Sequence, residues 1–401
     1  MKRLKLSETG WRSILFTISI INSLYFNITL INTLELWIIS KISGSSLITG
    51  ILFSLISIPF FFSYFTGTIV DTIKNKKIIL LAFSFLLLVI LFLSQLELLV
   101  NNLFALILLF YIMTLLTGFI FDISGAIMSI WIKENINEEI YKKVSSINQI
   151  IARSLGLFAG VLAGIFLTVN LKYSLFGPLF LLGITIFLLL PIKISSTKGI
   201  KKSGLKEGFI EGFNYIRKNK VLTQFVILTI GNFFFNMQGL LLLFYVEDFL
   251  HKGPIFFSML GAVSEIGIIL GSAYAPKIKK GKLGFYHVLF GTFISASLMS
   301  YILIHNVFLA VIPTFAVSFF SGINSVLTSS VLLRVIDKEY MGRVRGTISA
   351  ISEGLVTFSG PLGGVLIAAM GIGQTYLLVG LVMLIFFYLE LAFKEFYNLR
   401  I

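Results

Sequence analysis

The chain of 401 residues is 57% hydrophobic and 12% charged, contains 41 Phe, and carries a formal net charge of +14. A soluble protein of this length could not bury so much apolar surface, because a folded domain still needs a polar exterior, so the composition requires a bilayer. The chain has no Cys, which excludes disulfides and thiolate metal sites. We expect no metal and no other cofactor.

Twelve apolar segments follow one another, each near the roughly 20 residues that a helix needs to cross a bilayer. The first six lie at 12–40, 46–70, 78–100, 103–131, 144–170 and 174–192. The second six lie at 221–247, 254–275, 284–304, 307–333, 346–370 and 374–393. The first is too long for a signal peptide, so we expect it to stay uncleaved. Because lipid offers no partner to backbone polar groups, every span must be a helix. The sequence predicts an all-α membrane protein with 12 transmembrane helices in two six-helix bundles, at 1–192 and 221–401.

Lys and Arg are concentrated in alternate loops between these spans. Of the 32, 28 lie near the two termini or after spans 2, 4, 6, 8 and 10. The opposite loops hold Lys41, Lys172 and Lys252, and Arg153 lies inside a span. This asymmetry follows the positive-inside rule and places both termini in the cytoplasm. The net charge therefore indicates topology and contact with anionic membrane lipids, and we expect no nucleic-acid partner. Frequent Lys, Asn and Ile are typical of an AT-rich bacterial genome, which favours a bacterial plasma membrane.

Residues 193–220 form a polar linker between the two sets of spans. Leu205, Phe209, Phe213 and Ile216 are spaced i, i+4, i+8 and i+11, which places them on one face of a helix. The pattern predicts an amphipathic helix in the cytoplasmic headgroup plane that tethers the two halves. A plain linker is the alternative.

The two halves share an internal repeat. When the chain is shifted by 200 residues, 136–164 align with 336–364 without gaps. Gly160 and Gly164 then meet Gly360 and Gly364, in addition to several matched apolar residues and one Glu. The match indicates a duplicated unit whose copies are related by an axis along the membrane normal.

The loop after the second span reads GTIVDTIKNKK at 67–77. It resembles the signature of the major facilitator superfamily, Gly-x-x-x-Asp-(Arg/Lys)-x-(Gly)-x-(Arg/Lys)-(Arg/Lys). The resemblance implies a turn that controls gating, formed by Gly67, Asp71, Lys76 and Lys77, with Asp71 near Arg345 at the start of span 11. An ordinary positive-inside turn is the alternative, since two of the positions that are commonly basic hold Thr and Asn.

Residues 36–46, the turn at 70–71 and the stretch 341–364 resemble the macrolide-efflux-type branch of drug:proton antiporters. This resemblance implies alternating-access export of a small amphipathic molecule in exchange for protons, and we expect a monomer. Such branches include exporters of metal-chelating metabolites, so an endogenous metallophore or siderophore is the alternative cargo. An importer is a further alternative within the class. A membrane enzyme fits less well, because the three His lie near helix ends and no nucleophile constellation is present.

Four charged residues lie inside spans, where each costs at least about 2.5–3.5 kcal/mol on insertion scales. Glu265 lies in the middle of span 8, and Asp122 and Arg153 lie at similar depth in spans 4 and 5. Glu353 occupies the repeat position of Arg153, so equivalent helices carry opposite charges. We predict that all four face a central cavity, with Glu265 first and Asp122 next as proton carrier. The alternatives are a structural pair of Asp122 with Arg153, and a snorkelling or capping Glu353.

Polar residues in spans 1 and 7 are the predicted walls of this cavity. They are Asn22, Asn27, Asn32, Asn232, Asn236 and Gln238. Hydrogen bonding between helices is the alternative role for each Asn. A carboxyl in an apolar cavity can hold a proton near neutral pH and release it when the site opens to the cytoplasm or a cationic substrate arrives. Glu35, which lies 23 residues beyond Arg12, is expected near the outer interface.

Overall fold

The computed structural model describes residues 8–62, 75–100, 102–135, 138–192, 205–278, 281–337 and 340–400. These residues are almost entirely helical, and the β-bridge among them is an isolated antiparallel pair between Lys282 and Arg400. The prediction of an all-α protein is confirmed. Gly67 and Asp71 of the predicted gating turn lie outside the described residues.

The helices of the first sequence half follow the predicted spans closely. They are α1 Glu8–Ser43, α2 Ser46–Leu55, α3 Ile58–Phe61, α4 Lys76–Val100, α5 Leu103–Asn135, α6 Glu138–Val169 and α7 Phe176–Leu189. A 3-10 turn at Leu171–Tyr173 precedes α7. The side chain of Ser45 accepts a hydrogen bond from the backbone N–H of Ile48, so it caps the start of α2.

The linker contains α8 Leu205–Lys218, and the second half contains α9 Lys220–Leu228, α10 Gly231–Asn236, α11 Gln238–Phe244, α12 Pro254–Tyr274, α13 Leu283–Ser300, α14 Val311–Val335, α15 Met341–Val356, α16 Ser359–Met370, α17 Ile372–Leu389 and α18 Lys394–Tyr397. α15 and α16 together occupy predicted span 11. They are separated at Thr357 and Phe358 because Pro361 has no N–H to donate to the carbonyl of Thr357.

Among the described residues, eleven helical segments are long and apolar enough to cross a membrane. α2 is apolar but shorter, and it begins the predicted span 46–70, part of which lies outside the described residues. A count of twelve spans agrees with these bounds once α2 is included. The chain is therefore a multi-pass membrane protein.

The chain divides into two compact units. One comprises Met1–Ile42 and Ile58–Lys202, and the other comprises Ser43–Ser57 and Ser203–Ile401. In the first unit α1 is central: 61% of its most apolar stretch is buried, against 39% or less in every other candidate span of the described chain. Polar groups on such a helix must find partners on the helices that surround it.

In the second unit, α2 packs backbone to backbone against α16. A Cβ added at Gly50 would lie 2.2 Å from the carbonyl oxygen of Gly360, and one added at Gly364 would lie 2.3 Å from that of Ser46. The Ser46 hydroxyl donates to the Gly364 carbonyl at 2.7 Å, and the Gly360 N–H donates to the Ser54 hydroxyl at 2.9 Å. Small residues at both faces allow this approach, as at other helix contacts in membranes.

The linker helix α8 docks on the start of α15 and the loop before it. Glu211 and Arg343 form an ion pair at 2.6 Å. The rings of Tyr215 and Tyr340 stack with centroids 4.8 Å apart, and the Tyr215 hydroxyl donates to the Asp337 carboxylate at 2.9 Å. On the rest of the helix three apolar side chains are exposed, namely Phe209, Ile210 and Phe213. An exposed apolar face is consistent with a helix at a membrane surface.

Candidate functional site

The four predicted intramembrane charges lie on four helices and are all half-buried. Asp122 on α5 and Arg153 on α6 belong to the first unit, and Glu265 on α12 and Glu353 on α15 belong to the second. Half-burial leaves each side chain able to reach water or another molecule, which a fully packed group cannot do. That these four side chains face one cavity stays a prediction.

The helix that carries Glu265 is fixed by close packing against α14. A Cβ at Gly271 would lie 2.0 Å from the carbonyl oxygen of Phe319, so only glycine fits at this crossing. About two turns earlier, the hydroxyls of Ser264 and Ser318 are 2.6 Å apart. These contacts fix the rotation of α12 and therefore the direction in which Glu265 leaves the helix.

The predicted wall residues of α1 form hydrogen bonds to other helices. The Asn22 amide donates to Asn148 of α6 at 2.7 Å, and the Asn27 amide donates to Thr185 of α7 at 2.9 Å. The Thr117 hydroxyl of α5 donates to Asn32 at 2.9 Å. Asn27 is 1% exposed, so it is packed between helices. These contacts hold the first unit together, which is the role that polar side chains commonly have between helices in lipid.

Of the predicted wall residues of span 7, Asn232 and Asn236 are exposed and Gln238 is half-buried. The Asn236 amide donates to the backbone carbonyl of Asn232 at 2.9 Å, one turn earlier. The helix is interrupted near them, at Thr229–Ile230 and at Met237, and a π-helical turn follows at Tyr245–Phe249. The carbonyls of Thr229, Ile230 and Met237 at these interruptions accept backbone hydrogen bonds from later residues, so the backbone polar groups stay paired.

The structure adds Glu35, a residue that the sequence placed near the outer interface. Its side chain is 0% exposed, and its Oε2 lies 2.7 Å from the hydroxyl of Thr114 on α5. Thr114 is eleven residues from the start of α5 at Leu103, about 16 Å along the helix at ~1.5 Å per residue. This depth is well inside a hydrocarbon core about 30 Å thick. Among the described residues, no group is hydrogen-bonded to Oε1 of Glu35.

The Thr114 hydroxyl has two acceptors within reach and one hydrogen to give. Besides Glu35, the carbonyl of Phe110 lies 2.9 Å away. If Thr114 donates to Glu35, the carboxyl accepts and can be ionised. If Thr114 donates to Phe110, the bond to Glu35 needs a proton on the carboxyl, which then donates to Thr114. Rotation of the Thr114 hydroxyl therefore keeps a hydrogen bond to Glu35 whether the carboxyl is charged or neutral.

A signal for Glu35 was present in the sequence. Thr114 and Thr117 follow at matching depth on span 4, and hydroxyls inside a span are common partners for a carboxyl in a neighbouring one. The number of residues between Arg12 and Glu35 does not give the depth of Glu35 in the membrane, because α1 has 36 residues and is longer than a bilayer is thick.

The remaining residues of the predicted gating turn occupy different settings. Lys76 is 2% exposed, and the Lys77 ammonium donates to the carbonyl of Leu190 beyond the end of α7. Arg345 is exposed on α15, close to Arg343, which binds Glu211. Within the described part of the chain, no group of three His, Asp or Glu side chains is placed to hold a metal.

Comparison with known proteins identifies the family. The sequence profile of the Major Facilitator Superfamily matches residues 15–361. The "Uncharacterized MFS-type transporter YvqJ" of Bacillus subtilis (strain 168) is 26% identical over 265 residues, 63% of this chain and 62% of that protein, so the match spans less than two thirds of the relative. The crystal structure of the nucleoside transporter NupG has a TM-score of 0.74 at 13% identity, covering 95% of this chain and 99% of that one. The D-xylose-proton symporter has a TM-score of 0.67 at 12% identity, covering 94% and 97%. At such identities the likeness shows the fold alone.

The matching family profile, together with the apolar helices of the described residues, indicates a multi-pass membrane protein of the transporter class rather than an enzyme. The chain belongs to the Major Facilitator Superfamily. Its assignment to the macrolide-efflux-type branch stays a prediction.

Proposed function

We propose that this protein is a proton-coupled exporter of a small amphipathic molecule, working by alternating access in a bacterial cell membrane. Both termini lie in the cytoplasm, and the protein acts as a monomer whose basic loops contact anionic lipids. Membership of the superfamily supports transport. The neighbours with the same fold, named as a nucleoside transporter and a sugar–proton symporter, support a small-molecule cargo.

The Glu35–Thr114 contact is the observation that carries the proton coupling. A carboxyl that is fully buried, yet has a hydroxyl partner able to serve its charged and its neutral form, can gain and lose a proton without rebuilding its surroundings. Glu35 is therefore the protonation site of the first unit in this proposal.

Glu265 is the site at which proton and cargo exchange. Its half-buried carboxyl lies in the middle of a span and is accessible in a way that Glu35 is not. Asp122, Arg153 and Glu353 are the other charges of the proposed cavity. If all four are ionised, the balance is negative, which favours a cationic cargo.

Alternating access requires a contact that joins the two sequence halves to form and to part. The packing of α2 on α16 joins span 2 of the first half to span 11 of the second. We assign this contact to the gate on the side of the membrane where α2 begins. In this proposal the turn containing Gly67 and Asp71 acts together with Arg345 as the gate on the opposite side of the membrane.

The Glu265→Gln substitution is expected to abolish proton-driven export while the protein still folds and inserts. Glutamine preserves the shape of the side chain but cannot release a proton, so cargo binding no longer displaces one. The measurement is export driven by an imposed pH gradient in inverted membrane vesicles. Asp248→Asn, which changes an exposed carboxyl in the turn Tyr245–Phe249, is the matched control and should behave as wild type. Full activity with unchanged pH dependence in Glu265→Gln would move the exchange site to Asp122.

The cargo is tested by export from cells that overproduce the protein. The panel holds cationic amphipathic dyes and macrolides on one side and carboxylate-bearing metal chelators on the other. The proposal predicts that cells export the first group, and that a protonophore stops this export so that these compounds stay in the cells. Preferential export of chelators, abolished by Arg153→Lys, would favour the metabolite exporter instead, because an Arg inside a span can bind a carboxylate bidentately.

A further inference from the structure

An open groove lies between α4 and α7 in the first unit, and every described residue that lines it is apolar. Its volume is about 580 Å³, within the range of about 300–1,000 Å³ that is usual for ligand sites. Phe85 and Phe92 of α4 and Phe180 and Phe187 of α7 are among its walls, and Gly183 of α7 also lines it. The groove has the size and the lining of a site for an apolar ligand.

Hydrogen bonds tie α4 to α7 near both ends of the groove. At one end the Lys77 ammonium donates to the carbonyl of Leu190. At the other end the Gln95 amide donates at 2.7 Å to the carbonyl of Lys172, in the turn before α7. Between these ties Gly183 has no side chain, and a Cβ added there would meet no atom within 4 Å. The two helices are therefore held together at their ends around space that the described chain leaves open.

The rim of the groove projects away from the protein. Phe85 is 60% exposed, and Phe180 and Phe187 are each 70% exposed. All three lie on apolar spans, where side chains this large and this exposed meet lipid or another apolar surface. The occupant of the groove therefore comes from within the bilayer.

The shape of this face favours an acyl chain over a protein helix. Helices in membranes pack through small residues that let their backbones approach, as α2 and α16 do at Gly50 and Gly360. In the groove, Gly183 lies among projecting phenylalanine side chains. These rings would hold the backbone of another helix away, whereas a flexible acyl chain can pass between them and fill the space beside Gly183.

The charged residues of α4 and α7 make the two ends of the groove different. Lys76 and Lys77 begin α4, Glu97 lies near its other end, and the sequence of α7 contains no charged residue. The bond from Lys77 to Leu190 is exposed, and an ammonium has three hydrogens, so Lys77 can bind an anion and keep that bond. At the other end the charges of Glu97 and Lys172 offset each other. The charge distribution fits a ligand whose anionic group lies at the Lys77 end.

The depth of the groove below Lys77 matches the length of an acyl chain. At ~1.5 Å per residue, Phe85 lies about 12 Å and Phe92 about 22 Å from Lys77 along α4. On α7, Phe187 lies about 5 Å from Leu190 along the chain. One leaflet contributes about 15 Å of hydrocarbon, half of the core thickness. A phosphate at Lys77 therefore places its acyl chain along the groove as far as the middle of the membrane.

We propose that this groove binds one anionic glycerophospholipid, with its phosphate at Lys77 and one acyl chain between α4 and α7. The phosphate accepts a hydrogen bond from the Lys77 ammonium, and the chain fills the space beside Gly183. The distribution of Lys and Arg puts this end on the cytoplasmic side, so the lipid belongs to the cytoplasmic leaflet. The inference deepens the proposed contact with anionic lipids and rests on the proposed function for the cytoplasmic side alone. It is independent of proton coupling and of the cargo.

Native mass spectrometry tests the preference for an anionic headgroup. The full-length protein, freed of lipid, is titrated with phosphatidylglycerol and separately with phosphatidylcholine that carries the same acyl chains. The first phosphatidylglycerol should bind about fivefold more tightly than the first phosphatidylcholine, the effect of one basic residue on an anionic lipid. Lys77→Gln should remove this preference. Lys172→Gln, which changes an exposed Lys at the other end, should keep it. Equal affinity of the wild type for the two lipids would contradict the assignment of the phosphate to Lys77.

A photoreactive acyl chain tests the position of the lipid. Phosphatidylglycerol with a diazirine in one acyl chain is added in trace amount to phosphatidylcholine proteoliposomes, and the labelled residues are identified by mass spectrometry. Label is expected at 85–92 and 179–187, and unlabelled phosphatidylglycerol should displace it. Gly183→Leu fills the groove and should reduce this labelling by about tenfold. Gly160→Leu adds the same side chain on α6, where a Cβ also meets no atom within 4 Å, and should match the wild type.

A second copy of this chain is the competing occupant of the groove. The chain has no Cys, so Phe180→Cys introduces one thiol on the rim. If two copies packed through this face, oxidation in the membrane would link them by a disulfide, and we expect monomers instead. Disulfide-linked dimers would overturn the proposal. Labelling that is spread evenly over all exposed apolar helices, and that does not change in Gly183→Leu, would overturn it as well.

Discussion

The Glu35→Gln substitution is expected to uncouple cargo movement from the pH gradient while leaving the fold intact. Glutamine fits the same space and can accept from Thr114, but it neither binds nor releases a proton. Because the variant carries no proton at this position, we expect cargo-dependent proton flux to fall to the background of protein-free vesicles. The measurement is proton uptake or release by reconstituted vesicles when cargo is added.

The partner hydroxyl supplies a matched pair of controls for Glu35. Thr114→Ser retains the hydroxyl and should keep coupling, whereas Thr114→Val has nearly the same volume without a hydroxyl and should weaken it. Equal proton flux in wild type, Glu35→Gln and Thr114→Val would show that Glu35 is a structural residue. Membrane yield and elution as a single species show that each variant is folded.

The Gly360→Leu substitution is expected to abolish transport and to destabilise the protein. A Cβ at Gly360 would already lie 2.1 Å from the carbonyl oxygen of Gly50 and 2.5 Å from the Ser54 hydroxyl, so a larger side chain must push α2 away from α16. Overpacking of this kind costs about 1–3 kcal/mol or more. The separation also breaks the hydrogen bond between Ser54 and the Gly360 N–H. Transport rate and the midpoint of thermal unfolding are the two measurements.

The internal repeat provides the control for this substitution. Gly160 aligns with Gly360 in the repeat, but a Cβ at Gly160 meets no atom within 4 Å. Gly160→Leu should therefore change the free energy of unfolding by less than about 0.5 kcal/mol and leave transport near the wild-type level. Equal loss of transport in both variants would show that the effect of Gly360→Leu does not come from the contact of α2 with α16.

Much of the fold follows from the sequence because the bilayer permits few alternatives. Apolar length sets the spans, and the observed helices begin and end near the predicted limits, as with 78–100 against Lys76–Val100. The linker helix could also be predicted, since Leu205 and Phe209 lie at helical spacing within the observed Leu205–Lys218. Hydrophobic periodicity is a local property, and local properties can be read along a chain.

Contacts between distant segments could not be predicted in the same way. Ser46 and Gly364 are 318 positions apart, and nothing near either residue indicates that their backbones touch. The glycines of span 11 were visible as a repeat, yet the repeat gave no reason for Gly360 to be crowded and Gly160 open. Burial of Glu35 likewise depends on which helices surround α1. Apolar composition is similar on every span and does not specify neighbours.

The central claim, that protons drive cargo across the membrane in exchange, is tested most directly in proteoliposomes. Purified protein is reconstituted with a pH-sensitive dye inside, and a cationic amphipathic cargo is added to one side without any imposed gradient. The account predicts that cargo entry moves protons in the opposite direction, with the signal lost in Glu265→Gln and on addition of a protonophore. Cargo that equilibrates at the same rate with no proton movement, or with protons moving in the same direction, would contradict it.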